Sequence, residues 1–303
     1  MRYLFLFSIL ISASVICGQS INVEKQLAET GKKILAHPEY KERKLANQKF
    51  LEELETYIAT EKGFDDPLAT VTNMVRLAGE DELRIFTWQM PDSTYKYVRF
   101  GLVAANTRKG IVVTRLDDVA ENISQPEFKI LKADEWYGAI YYKLIPVKKK
   151  KSRDVVYTLL GYAPGRDINQ KIIDVLEVDG RGRPKFGARV FKIDQFMDKT
   201  LRKPPMRLIL SYGGDYAASV RWNDEKEMII MDHLSPPDDK LKGVYRMYGP
   251  DMSYDGLVWK DDWWNLETQV KFNSGQNVKI VPPNKPTDLP GKKPKTTGEQ
   301  DGG

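Results

Sequence analysis

The sequence predicts a mainly β protein, an antiparallel meander stacked as a sandwich or closed as a barrel, behind an N-terminal helical segment; the class is α+β overall. Three observations lead there. From Leu83 onward, short segments rich in β-branched and aromatic residues follow one another: "LRIFTWQM", "KYVRFGLVA", "GAIYYKLIPV", "DVVYTLLGY", "KIIDVLEVD", "MRLILSY", "AASVRW", "EMIIMD", "GVYRMY" and "DGLVW". Turn-forming residues separate them, at Pro91 and Asp92, Asp179 and Gly180, Gly213 and Gly214, Asn223 and Asp224, Pro236 and Pro237, and Gly249 and Pro250. Upstream, residues 23–78 repeat their apolar positions with the period of a helix.

Residues 1–18 read as a signal peptide. Arg2 precedes an apolar run from Tyr3 to Cys17, and small or polar residues follow. The run falls short of the roughly 20 residues that a spanning helix needs. Export to the periplasm or the outer membrane is therefore expected. A lipoprotein anchored through Cys17 is the lesser alternative, because Ile16 stands where a small residue belongs. Cys17 is the chain's one cysteine, so the mature protein has neither a disulfide nor a thiol nucleophile.

Residues 19–80 form the helical segment. In "NQKFLEELETYI", Phe50, Leu51, Leu54, Tyr57 and Ile58 make one stripe. Asp66, just before Pro67, reads as the N-cap of a third helix over "LATVTNMVRLA". His37 beside Pro38 reads as a local capping residue at a helix junction.

Residues 81–279 form the β-rich domain. "VRFGL" alternates, with Val98, Phe100 and Leu102 on one face, whereas "AIYYKLIPV" and "EMIIMD" are apolar on both. Such strands are covered twice, by a second sheet or by the helices. "RDINQKIIDVL" reads as a helical turn running into a strand. The run Lys148 to Lys151 reads as a solvated hairpin tip. Residues 280–303, rich in Pro, Lys and Gly, have the composition of a disordered tail.

The 303 residues carry a formal charge of +5 and are 41% hydrophobic. The excess is dispersed, and with export expected it argues against a nucleic-acid partner. No later run is long and apolar enough for a transmembrane helix in the mature chain.

Six motifs fall in order between Glu82 and Trp259: "ELRIFTWQMP", "YYKLIP", "YTLLGYAPG", "KIIDVLEVDGRGRPKFG", "MDHLSPP" and "YGPDMSYDGLVW". Through them the chain resembles a family of exported, β-rich proteins of Bacteroidota. The resemblance implies export and a β-rich domain. It attaches no activity, so no catalytic residue is carried over from it.

The chemistry must therefore be read from the residues. There is no phosphate-binding P-loop, no Gly-X-Ser-X-Gly elbow and no His-Glu-X-X-His helix. With two histidines in the chain, a histidine-rich metal site cannot be built, and no cofactor is expected. His233 follows Asp232, but neighbours in a strand point to opposite faces. Its partner would come from Asp251 or Asp255; the plainer reading has it closing a strand against the "LSPP" turn. Asp251 and Asp255 in "PDMSYDG" give a weak calcium pattern, because the alternate positions are only partly filled; turn capping is the ordinary explanation. Two carboxylates across a groove can hydrolyse a glycosidic bond. A hydrolase, glycan-directed and built on His233, Asp251 and Asp255, is thus the alternative function. The leading expectation is a non-catalytic binding or scaffolding component of the cell envelope. It would engage a glycan or a protein partner through Tyr248, Tyr254, Trp259, Trp263 and Trp264.

Overall fold

The helical periodicity becomes three helices, although the third is not the one expected. The computed structural model describes residues 23–80, 82–150, 155–197 and 199–271; the signal peptide at 1–18 with Cys17, and the tail at 280–303, lie outside them. Residues 23–36 form α1, Tyr40–Ile58 form α2 and Glu61–Asp65 form the short α3. α2 buries Ala46, Phe50, Leu54 and Ile58, spaced so that they share one face. At the α1–α2 break, His37 Nδ1 accepts the Glu39 amide at 3.2 Å, the capping role its position suggested. Among the described residues no helix is long and apolar enough to cross a membrane.

"LATVTNMVRLA" does not form a helix. Asp66 does cap, accepting the Leu68 amide at 2.9 Å, but Leu68 then turns to φ 46° and breaks the spiral. The Thr70 amide and hydroxyl both bond Glu24 of α1, at 2.8 and 2.9 Å. Beyond this loop the chain enters a strand, β1 (Met74–Gly79), which pairs antiparallel with β2 (Leu83–Pro91). Tertiary pairing overrides a helical pattern that the β-branched Val71, Thr72 and Val75 support only weakly.

β1 and β2 continue into β3 (Tyr97–Thr107) and β4 (Gly110–Asp117), giving a four-stranded meander in chain order. A second sheet runs β5 (Leu131–Lys132), β9 (Pro184–Phe186), β8 (Ile168–Val178), β7 (Val155–Ala163), β6 (Ile140–Lys148), with β13 (Leu208–Gly213) also paired to β8. The third runs β10 (Phe191–Lys192), β17 (Trp263–Glu267), β16 (Gly249–Lys260), β15 (Met228–Ser235), β14 (Val220–Asn223). The parallel contact of β10 with β17 departs from the otherwise antiparallel strand pairing. β11 (Gln195–Phe196) and β12 (Lys199–Thr200) make a separate two-stranded ribbon.

Three apolar cores lie between four layers. Leu27, Ile34, Phe50 and Leu54 of the helices pack on Phe86, Trp88 and Leu102 of the first sheet. The opposite face of that sheet, with Leu83, Ile85 and Val103, packs on Tyr141, Leu159 and Ile172 of the second. The far face of the second sheet, with Val156, Leu160 and Ile173, packs on Ile229, Met231, Leu257 and Trp264 of the third. The central strands are therefore covered on both faces, as "AIYYKLIPV" implied. A bulge between Tyr141 and Lys143 switches the parity of β6. Tyr141 faces the first sheet, while Ile145 and Val147 face the third.

Two smaller expectations are corrected. β8 is a strand from Ile168, with no helical turn before it, because its first residues pair with β13. "GVYRMY" is a 3₁₀ turn at Tyr245–Met247 and not a strand. The lysines at the β6–β7 connection are solvated as expected at Lys148 and Lys150, and each described one also meets an acid: Lys148 with Glu80, Lys149 with Glu177 and Lys150 with Asp261.

Candidate functional site

The expected site around His233 is assembled by a register shift. Between the pairs Asp232–Tyr254 and Leu234–Pro250, β15 advances two residues and β16 advances four. The extra length loops Asp251 to Ser253 out opposite His233, with Met252 at φ 70°. As a result both candidate acids reach the imidazole. His233 Nδ1 lies 2.7 Å from Asp255 Oδ2, and Nε2 lies 4.0 Å from Asp251 Oδ2.

The oxygens of these acids also accept hydrogen bonds from their own surroundings. Asp251 Oδ1 accepts the Ser253 amide at 3.0 Å and hydroxyl at 2.7 Å, and Oδ2 accepts the Ser235 hydroxyl at 3.3 Å. Partial burial pushes the Asp251 carboxyl up, but these bonds and the neighbouring His233 outweigh it and hold it below the usual range. Asp255 is nearly buried, and its Oδ1 accepts the Gln269 amide at 3.3 Å. Asp232 is turned to Ser219, whose amide it accepts at 2.7 Å, and burial raises its carboxyl. The cluster is thus a histidine held between Asp251, which forms the turn, and Asp255, which sits in the paired part of β16. Among the described residues no group of three or more His, Cys, Asp or Glu side chains is arranged to hold a metal.

The five aromatic residues do not share one surface. Tyr248 is fully buried and its hydroxyl accepts the Gly243 amide at 2.9 Å. Trp264 is fully buried and its indole donates to Thr158 Oγ1 at 2.9 Å. Trp259 stands directly across from Trp264 and packs against it at 5.4 Å and 64°, on the core side of the sheet. Trp263 points the other way because neighbours in a strand alternate; it and Tyr254 are half-buried. The run "WKDDWW" looked like a stacking surface because three tryptophans in six residues suggest one, yet two of them complete a core.

A different place has the form of a binding site. A pocket of about 240 Å³ opens between the 3₁₀ turn Pro126–Phe128, the β11–β12 ribbon and the approach to β13. Its walls are Phe128, Phe196, Met197, Leu201 and Pro205, and Arg207 lies in its lining. It is smaller than the roughly 300–1,000 Å³ of sites for drug-sized ligands.

Arg207 explains why these loops converge. It and Asp174 of β8 are both fully buried, with Nε donating to Asp174 Oδ1 at 3.0 Å. Nη1 donates to the carbonyls of Pro126 and Lys129, and Nη2 to that of Phe186. Asp174 Oδ2 accepts the Tyr141 hydroxyl at 3.0 Å, and Trp136 donates to that same hydroxyl at 3.2 Å. A buried charge needs a partner and hydrogen bonds; here they come from four chain segments and fasten the 126–129 loop to the second sheet. At the mouth, Lys199 pairs with Glu127 at 3.3 Å and lies over the Tyr245 ring at 5.2 Å. Desolvation lowers the Lys199 pKa, but Tyr245 and Glu127 outweigh it and keep the ammonium protonated.

Compared with protein-family models, with curated proteins and with solved structures, the chain matches none.

Proposed function

We propose that this chain is an exported cell-envelope protein of the Bacteroidota family it resembles. In this reading it binds a ligand without transforming it, and the pocket beneath β11 and β12 is the ligand site. One observation carries the reading. Among the described residues, every charged group in the pocket lining is already engaged within the protein, Glu127 with Lys199 and Arg207 with Asp174, and none of them is an imidazole, hydroxyl or thiol. Apolar walls suit retention of a ligand, and the amine and carboxylate in the lining, Lys199 and Glu127, are tied to each other.

The test is a titration with 1-octanol, a neutral apolar probe, followed by NMR. Saturable binding is expected, weakened about tenfold or more in Phe196→Ala, since that change removes much of an aromatic wall. Binding that never saturates, or that ignores Phe196→Ala, would remove the pocket from consideration.

The second reading, a glycan-directed hydrolase, keeps one specific support: the 2.7 Å contact of Asp255 with His233, an imidazole whose second nitrogen faces Asp251. Asp255→Asn separates the two. Under the binding reading it leaves octanol affinity unchanged; under the hydrolase reading it abolishes turnover of a glycan substrate.

A further inference from the structure

The charge around the pocket mouth goes further than its walls. Residues 199–207 carry Lys199, Arg202, Lys203 and Arg207 and no carboxylate. Asp198, which precedes them, lies outside the described residues. Two of the four cations are neutralised, Lys199 by Glu127 and Arg207 by Asp174. The other two are exposed, and among the described residues no carboxylate lies within ion-pair distance of either. Lys203 is held in place all the same: its Nζ sits 4.8 Å from the centroid of the Phe128 ring, itself a pocket wall. Lys203 is not itself in the lining, but among the described residues it is an exposed cation outside every ion pair, set against a side chain that also forms a pocket wall.

We propose that the pocket takes a small amphiphilic carboxylate, with a short aliphatic chain or single ring among Phe128, Phe196 and Leu201 and its head on Lys203 at the rim. This rests on the reading of the pocket as a ligand site. The charge favours a monoanion, because Lys199 already shares its charge with Glu127 and leaves Lys203, against Phe128, to meet the head. The size favours a free short-chain acid over a diacyl lipid, whose two chains exceed a cavity of about 240 Å³. Placing a carboxylate at the rim also avoids its desolvation, since the head stays in water while the chain is buried.

Three probes of one chain length test this by calorimetry at low ionic strength: octanoate, 1-octanol and octylammonium. Octanoate is expected to bind about fivefold tighter than 1-octanol, with octylammonium weakest, and the gap to narrow as salt screens the rim charge. Lys203→Ala should remove the octanoate preference and leave 1-octanol binding in place, and Lys203→Arg should restore it. Lys203 is exposed and, among the described residues, outside every ion pair, so these variants keep the fold. Equal or weaker binding of octanoate than of 1-octanol, or a preference that survives Lys203→Ala, overturns the carboxylate proposal while the pocket remains a ligand site. Failure of all three probes overturns both. Association with phosphatidylglycerol vesicles in place of octanoate would reassign the rim charge to a membrane surface and overturn the proposal as well.

Discussion

Arg207→Met is the perturbation that reaches deepest into this architecture. The substitution keeps most of the side-chain volume and removes the guanidinium, leaving Asp174 fully buried with the Tyr141 hydroxyl and the Val175 amide as its hydrogen-bond donors. Removing one partner of a buried ion pair costs roughly 3–5 kcal/mol, because the other group is left buried without its partner. The carbonyls of Pro126, Lys129 and Phe186 lose their donor too. Those of the 126–129 loop can turn to water, so the estimate stays near about 3–5 kcal/mol. Against a total of roughly 5–15 kcal/mol for a typical domain, this is a large share. Urea unfolding followed by tryptophan fluorescence reads it as a fall in the midpoint. Asp174→Leu combined with Arg207→Met should cost less than the two single changes added, by about 2 kcal/mol, since the double variant buries no charge. A loss below about 1 kcal/mol for Arg207→Met, or strict additivity in the double variant, would refute the claim that this pair anchors the pocket loops.

Three further outcomes follow from the same geometry. The Asp251 carboxyl is held below its usual range, so its contribution is present above the unfolded-state pKa of about 3.9 and is lost as pH falls through the folded value; Asp251→Asn should flatten the acid limb of the stability profile. Lys171, whose amine lies 4.7 Å from the Tyr162 ring centroid and 5.1 Å from that of Tyr142, is lowered by burial, with nearby Asp232 pulling the other way. Here the unfolded chain binds the proton more tightly, so the protein should gain stability as pH rises from the lowered pKa toward about 10.4, and Lys171→Met should abolish that gain in alkaline urea titrations. Trp264→Phe removes the indole donor to the buried Thr158 hydroxyl and leaves a void, and should lower the unfolding free energy by about 1–3 kcal/mol.

The layered fold was legible where side-chain pattern alone decides it. "AIYYKLIPV" is apolar on both faces because its strand separates two sheets, and "NQKFLEELETYI" shows one stripe because α2 has one buried face. "LATVTNMVRLA" was misleading: Asp66 is a true cap, but the chain leaves the helical path at Leu68, and pairing of Met74 onward with β2 decides the outcome. The aromatic residues near the C-terminus failed as a surface for a related reason. Composition places Trp259 and Trp264 near each other, but only the β16–β17 register shows that both face a core.

The His233 cluster was half legible. Asp251 and Asp255 were the right partners, yet a sequence carries no mark of the four-for-two register shift that delivers both to one imidazole. The pocket was missed because its walls come from residues 125–128 and 196–209, joined through Asp174 on a third segment. One signal was available. "IIDVL" sets a single carboxylate inside a strand apolar on both faces, and such an acid demands a buried cation elsewhere in the chain. Arg207, just before "LILSY", was the candidate.

The most direct test of where this protein engages its ligand is chemical-shift mapping of the ¹⁵N-labelled protein with octanoate. The account predicts saturable shifts in residues 125–128 and 196–209, with His233, Tyr254 and Asp255 unmoved. Shifts centred on residues 233–255, with the pocket silent, would contradict it and return the function to the histidine and its two aspartates.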